Sequence, residues 1–112
     1  MRIINSSKQS VLAEDGKIAD TFFSRMKGLL GKSEFLAEEG LIITRCQSIH
    51  MVFMAFAIDA IFIDKDKAVV GLVRNIKPFA FSRIFIKASC VIELPVGTID
   101  RTRTELRDVI AW

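Results

Sequence analysis

The chain has 112 residues, 51% of them hydrophobic and 26% charged, with a net charge of +3; this is the size and composition of one globular domain and excludes global disorder. Two cysteines are too few for a disulfide framework, and the longest uncharged run, Cys46 to Ile58 with His50 neutral, falls short of the roughly 20 residues a membrane-spanning helix needs. The densest basic run, Arg101, Arg103 and Arg107, is interrupted by Asp100, Glu105 and Asp108, which argues against a nucleic-acid footprint.

The N-terminal residues, Met1 to Lys8, carry no apolar stretch and no small-residue cleavage site, which points to a cytoplasmic protein. Two short apolar runs follow, Arg2–Asn5 and Gln9–Ala13. Asp15-Gly16 is then a strong two-residue hairpin signal, with Lys17 to Ala19 as the return strand. Asp20-Thr21 offers a helix N-cap, and Phe22, Met26, Leu29 and Leu30 recur at helical spacing up to Gly31. The rest reads as strand: Leu41 to Ile43, Ile49–Met54, Ala60–Ile63, Ala68–Ile76, Ile84–Ile86, Ser89–Leu94 and Val109 to Trp112. Asp64 to Lys67 is a turn, and Gly71 marks a bulge in its strand. Short strands at near-regular spacing predict a mainly β, compact sandwich-like or barrel-like single domain over residues 1–112, with one short helix packed against it.

Four blocks carry a family likeness. They are Ala19-Asp20-Thr21 with Arg25 and Gly28-Leu29-Leu30-Gly31; Ser48 to Met54; Ile58-Asp59 with Ile61 to Asp64; and Val91 to Gly97. In this order and spacing the chain resembles the small bacterial and archaeal family known as domain of unknown function 192. The resemblance implies a mainly β domain with a short helix laid against it, and it implies no activity. The sequence departs from the family pattern at Phe53, where Trp is usual, and at Ala57, where Pro is usual. Lys67 and Arg107 stand where turn glycines are usual.

Chemistry has few places to reside. On an extended strand His50 and Met54 share a face, with Cys46 upstream, and thiolate, imidazole and thioether together suit Cu(I). A lone His in such a strand is more commonly a hydrogen-bonded structural residue, and Met is core. Asp59 and Glu93 sit among apolar neighbours, so burial would demand a partner for each, and Arg25 could pair with either. The bland alternative for these carboxylates is capping of loose backbone N–H groups or exposure to water. The segment from Arg74 to Arg83 mixes Lys77, Phe79 and Phe81, and forms either a sticky amphipathic patch or a loop folded over the core with its rings inside, the second slightly favoured.

Two readings follow. The first is a non-enzymatic binding module with a groove near His50, Met54, Asp59 and Glu93, bordered by the loop from Arg74 to Arg83, with Arg25 a further candidate for binding the ligand. It would take a small molecule, peptide or protein. The second is a small hydrolase or isomerase using His50 with Asp59 or Glu93, and a copper-handling role is a lesser third. Phosphate-loop, dinucleotide and zinc-protease motifs are missing from the sequence, which therefore names no cofactor.

Overall fold

β-branched and aromatic runs give eight strands among the described residues of the computed structural model, which are 1–19, 35–49, 51 and 56–112. In chain order they are β1 (Ile3–Asn5), β2 (Ser10–Ala13), β3 (Asp15–Ala19), β4 (Glu39–Thr44), β5 (Ile58–Ile63), β6 (Val69–Ile76), β7 (Cys90–Leu94) and β8 (Ile110–Ala111). A five-residue helix, α1 (Thr98–Thr102), lies between the last two. One sheet has the order β2-β1-β8 and the other β3-β4-β7-β5-β6. The pair β3/β4 is parallel and every other named pairing is antiparallel. The mainly β expectation is met, with two sheets and a short helix.

The larger sheet buries apolar residues on both faces. All six residues of β5 are buried, which fits its near-continuous apolar sequence. Ile42, Ile61, Ile63, Ile92 and Leu94 face the small sheet and α1, where they meet Ile3, Leu12, Ile99 and Ile110. Leu41, Ile43, Ile58, Ala60, Phe62 and Val91 form the opposite face, packed with Ile49, Met51 and Ala88.

Several sequence expectations change. Asp15-Gly16 is not a hairpin turn but the start of β3. The opening hairpin is β1/β2, and it turns through residues 6–9 with Gln9 in a left-handed conformation. Gly16 is chosen for close approach, because a Cβ there would lie 2.6 Å from the Ile3 side chain. Ile84–Ile86 is irregular and turn structure rather than strand. Ile49 and Met51 are outside any strand, while the remainder of the expected strand Ile49–Met54 and the helix over 22–30 lie outside the described residues. Helix α1 escaped the sequence reading because five residues are too few to show a helical period.

Other expectations hold. The pairing of β5 with β6 shifts between Phe62/Gly71 and Ile63/Val69, so a bulge adjoins Gly71. A Cβ at Gly71 would fall within the ring of Phe85, which stacks on Phe62 with centroids 4.4 Å apart. The Asp64 turn is closed by Lys67 N–H donating to the Asp64 carbonyl, and the Asp64 carboxylate accepts from the N–H groups of Asp66 and Ala68. Lys67 and Arg107, the two positions where glycine was expected, have φ of 65° and 75°. The turns therefore keep a glycine-like backbone around side chains that disfavour it.

Two outcomes test this packing. Arg107→Gly should raise stability by roughly 0.5–1 kcal/mol in urea unfolding, because the left-handed strain is relieved and the backbone bond to Val69 remains available. Gly71→Ala should cost about 1–3 kcal/mol by displacing Phe85 from Phe62; a change below about 0.5 kcal/mol would show that the ring is not held there.

Candidate functional site

Asp59 is the second residue of β5, between β7 and β6 in the larger sheet, and is 1% exposed. Its Oδ2 accepts from the N–H groups of Gly97 at 3.1 Å and Ile99 at 3.0 Å, and its Oδ1 accepts from the N–H of Asn75 at 2.9 Å. Gly97, the residue before α1, has φ of 93° and no side chain with which to cap the helix. Asp59 supplies that cap from a different strand. Its lone pairs are taken up by backbone donors, which is what a buried carboxylate requires.

Glu93 is fully buried on the other side of the same sheet. Leu94 pairs with Asp59, whereas Glu93 pairs with Ala60 on β5 and Leu41 on β4. Side chains alternate along a strand, so Asp59 and Glu93 point to opposite faces. This corrects the expectation of one groove lined by both carboxylates: at most one of them can face the side on which His50 would act. Arg25, His50 and Met54 lie outside the described residues, as does any pairing of Arg25 and any soft-metal set built on His50 and Met54.

Cys46 and Cys90 are not joined in a disulfide. Cys46 is half-buried and its Sγ donates to the Ser48 carbonyl at 2.9 Å. Burial pushes the Cys90 thiol up, so it is a poorer nucleophile at neutral pH than an ordinary cysteine. Arg74 is exposed and donates to Asp100 on α1 at 2.8 Å. A pair this open to water contributes at most about 1 kcal/mol.

The loop over residues 77–88 has a different character. Phe79 is 71% exposed, Phe81 73%, Ile84 62% and Ile86 81%. The rings therefore stand outside, against the favoured expectation that they fold inward. The reason is local. Phe79 N–H donates to the Met51 carbonyl and Met51 N–H to the Ala80 carbonyl, while Ser82 N–H donates to Ile49 and Phe85 N–H to Gln47. The Ile49 N–H also donates to Ser82 Oγ, and Gln47 Nε2 donates to the Ile86 carbonyl. Once the loop is laced to residues 47–51, Ala80, Phe85 and Ala88 take the inward places. Their neighbours in sequence are left outside. Phe79 itself has φ of 68°, a left-handed backbone that a bulky residue adopts at a cost. Lys77, Arg83 and Lys87 are exposed along the same loop, and the Arg83 guanidinium lies 5.0 Å from the Phe85 ring centroid. Sequence reasoning identified Phe79 and Phe81 but assigned Ile84 and Ile86 to a strand, because their alternation with Phe85 mimics one.

Among the described residues no helix is long and apolar enough to cross a membrane. The family model described as DUF192, Uncharacterized ACR, matches residues 3–112. A UPF0127 protein of Thermococcus sibiricus is 40% identical, over 98% of this chain and 73% of its own length. A UPF0127 protein of Pyrococcus horikoshii is 34% identical, over 98% and 97%. A protein of unknown function from Novosphingobium aromaticivorans shares the fold at TM-score 0.80 and 22% identity, covering 99% of this chain and 82% of that one. A structure described as a putative transcription regulator from Sinorhizobium meliloti aligns at TM-score 0.77 and 22% identity, over 98% of this chain and 89% of that one.

The architecture rests on the Asp59 cap, so Asp59→Asn should lower stability by roughly 2–4 kcal/mol, the price of placing an amide NH2 among backbone donors. Thermal unfolding should fall by more than about 10 °C. A loss of only a degree or two would mean that α1 does not depend on this carboxylate.

Proposed function

We propose that this chain, which belongs to the DUF192 family, is a non-enzymatic binding module whose contact surface is the loop over residues 77–88. The observation that carries this reading is Phe79. It is a large apolar side chain left in water on a strained backbone, and neither burial nor conformational preference accounts for it. Ile84 and Ile86 extend the apolar patch, and the hydrogen bonds to residues 47–51 hold it in one shape before a partner arrives. A preformed surface loses less conformational freedom on association. The cations Lys77, Arg83 and Lys87 select a protein partner whose contact residues are acidic as well as apolar.

The hydrolase and isomerase reading has less support. Asp59 is taken up by three backbone N–H groups and faces away from Glu93.

Phe79→Gly separates the two roles this residue could have. As a contact residue, its replacement should raise stability by roughly 0.5–1 kcal/mol while weakening association. A photo-crosslinking residue at position 86 should give a partner adduct in cells that is lost in Phe79→Gly and Ile84→Ser. The same residue at position 65, in the β5–β6 turn, should give none. If Phe79→Gly destabilises the fold, or adducts form equally from both positions, the loop is not the contact surface.

A further inference from the structure

β6 is the last strand of its sheet among the described residues. At its start, Val69 exchanges backbone hydrogen bonds with Arg107 and Asp108. Beyond that point lies a cavity of about 410 Å³, lined by the consecutive residues 70–74 of β6 together with Arg83, Phe85 and Leu106. Val70, Val73 and Phe85 pack with the core cluster on one face of the sheet and Leu72 with the cluster on the other, so the cavity takes lining residues from both faces and lies along the edge of β6. Arg83 and Leu106 complete its lining. A second cavity of about 200 Å³ shares Val70, Arg83 and Phe85 and continues past Ile84, Ile86 and Lys87.

We infer that this groove receives an extended, acidic segment of a partner protein, which adds to β6 as a further strand. The inference rests on the reading of the loop as a contact surface and names what lies against it. Residues beyond Val69 on a terminal strand offer backbone donors and acceptors to an incoming chain, and main-chain pairing is the usual source of affinity in such additions. Val70, Leu72, Phe85 and Leu106 provide apolar seats for alternate side chains of the incoming strand. The charged residues lining the two cavities, Arg74, Arg83 and Lys87, are all cations, which selects carboxylates. Asp100 on Arg74 shows the geometry a partner carboxylate would take, in a pair exposed enough to be exchanged. A second copy of this chain fits less well, because edge-to-edge pairing would set these cations against their own equivalents. An anionic membrane would use the protruding Phe79 and Phe81 but would leave the groove along β6 without a role.

The test uses fluorescent peptides of about ten residues, enough to run the length of β6, in which Glu alternates with Val and Phe. Two control sets replace each Glu with Lys or methylate the backbone nitrogens on one edge. The acidic peptides should bind at least about tenfold more tightly than their Lys counterparts, and methylation of the edge facing β6 should abolish binding. Arg83→Glu and Leu106→Glu, both exposed positions, should each weaken binding by about tenfold or more. Equal binding of acidic and basic peptides, indifference to methylation, or no binding of the acidic set overturns the inference. So does sedimentation of the protein with phosphatidylserine vesicles when the peptides fail to bind. If the peptides fail but the adduct from position 86 persists, strand addition is wrong and the contact surface stands; if both fail, both are wrong.

Discussion

The carboxylate of Asp59 is where three separate parts of the chain are bound together. It holds the end of β6 through Asn75, the left-handed Gly97 and the first turn of α1, all from the start of β5. A helix of five residues does not persist in water alone, since nucleation is costly and little propagation follows. Here its leading N–H groups are satisfied by an anion, which also suits the positive end of the helix. From α1 a second polar chain continues inward. Thr102 and Thr104 share a hydrogen bond, Asn5 donates to Thr104 and to Asp108, and Lys8 donates to Asp108. Burial works to raise the Asp108 carboxyl, but the donors Asn5 and Lys8 outweigh it and hold the group below the ordinary carboxylate range. These buried polar contacts fix the small sheet against the large one in a way that apolar packing alone does not specify.

The strands were legible because their signal is local. Ala60–Ile63 and Ser89–Leu94 were read as strands from their apolar residues, and they fall on β5 (Ile58–Ile63) and β7 (Cys90–Leu94). Asp59 was legible in part: a carboxylate between two apolar residues had to be exposed, paired with a cation such as Arg25, or bonded to backbone N–H groups, and three backbone N–H groups donate to it. Its separation from Glu93 was not legible, because that depends on a register one residue out of step, and register is a property of the sheet. Asp15-Gly16 misled for a related reason. The same dipeptide that turns a hairpin also lets two backbones approach, and only the neighbouring Ile3 decides between these uses. The exposure of Phe79 and Phe81 was equally hidden, since it follows from hydrogen bonds to residues some thirty positions earlier.

The division of labour between the two faces of the large sheet follows from these facts. The face toward α1 and the small sheet is closed by apolar packing and by the Asp59 and Asp108 networks. Among the described residues the other face is covered partly by irregular chain, laced down by backbone hydrogen bonds. Irregular chain on a rigid support presents side chains at angles a strand does not allow, which is why recognition surfaces are so often built there. In this protein that chain borders β6, the last strand of the sheet among the described residues.

The pairing of β1 with β8 governs the order in which the molecule can assemble. Ile4 lies opposite Ala111 and Asn5 opposite Ile110, so these contacts span nearly the whole chain. Loops that long are slow to close, and on the ribosome this one cannot close until synthesis has reached β8. The large sheet has all its strands by Leu94 and can pair before then. Until then Ile61, Ile63 and Ile92 lack the Ile110 that packs with them in the finished fold. An apolar face that is incompletely covered while the chain is unfinished is the kind of surface through which partly folded chains associate.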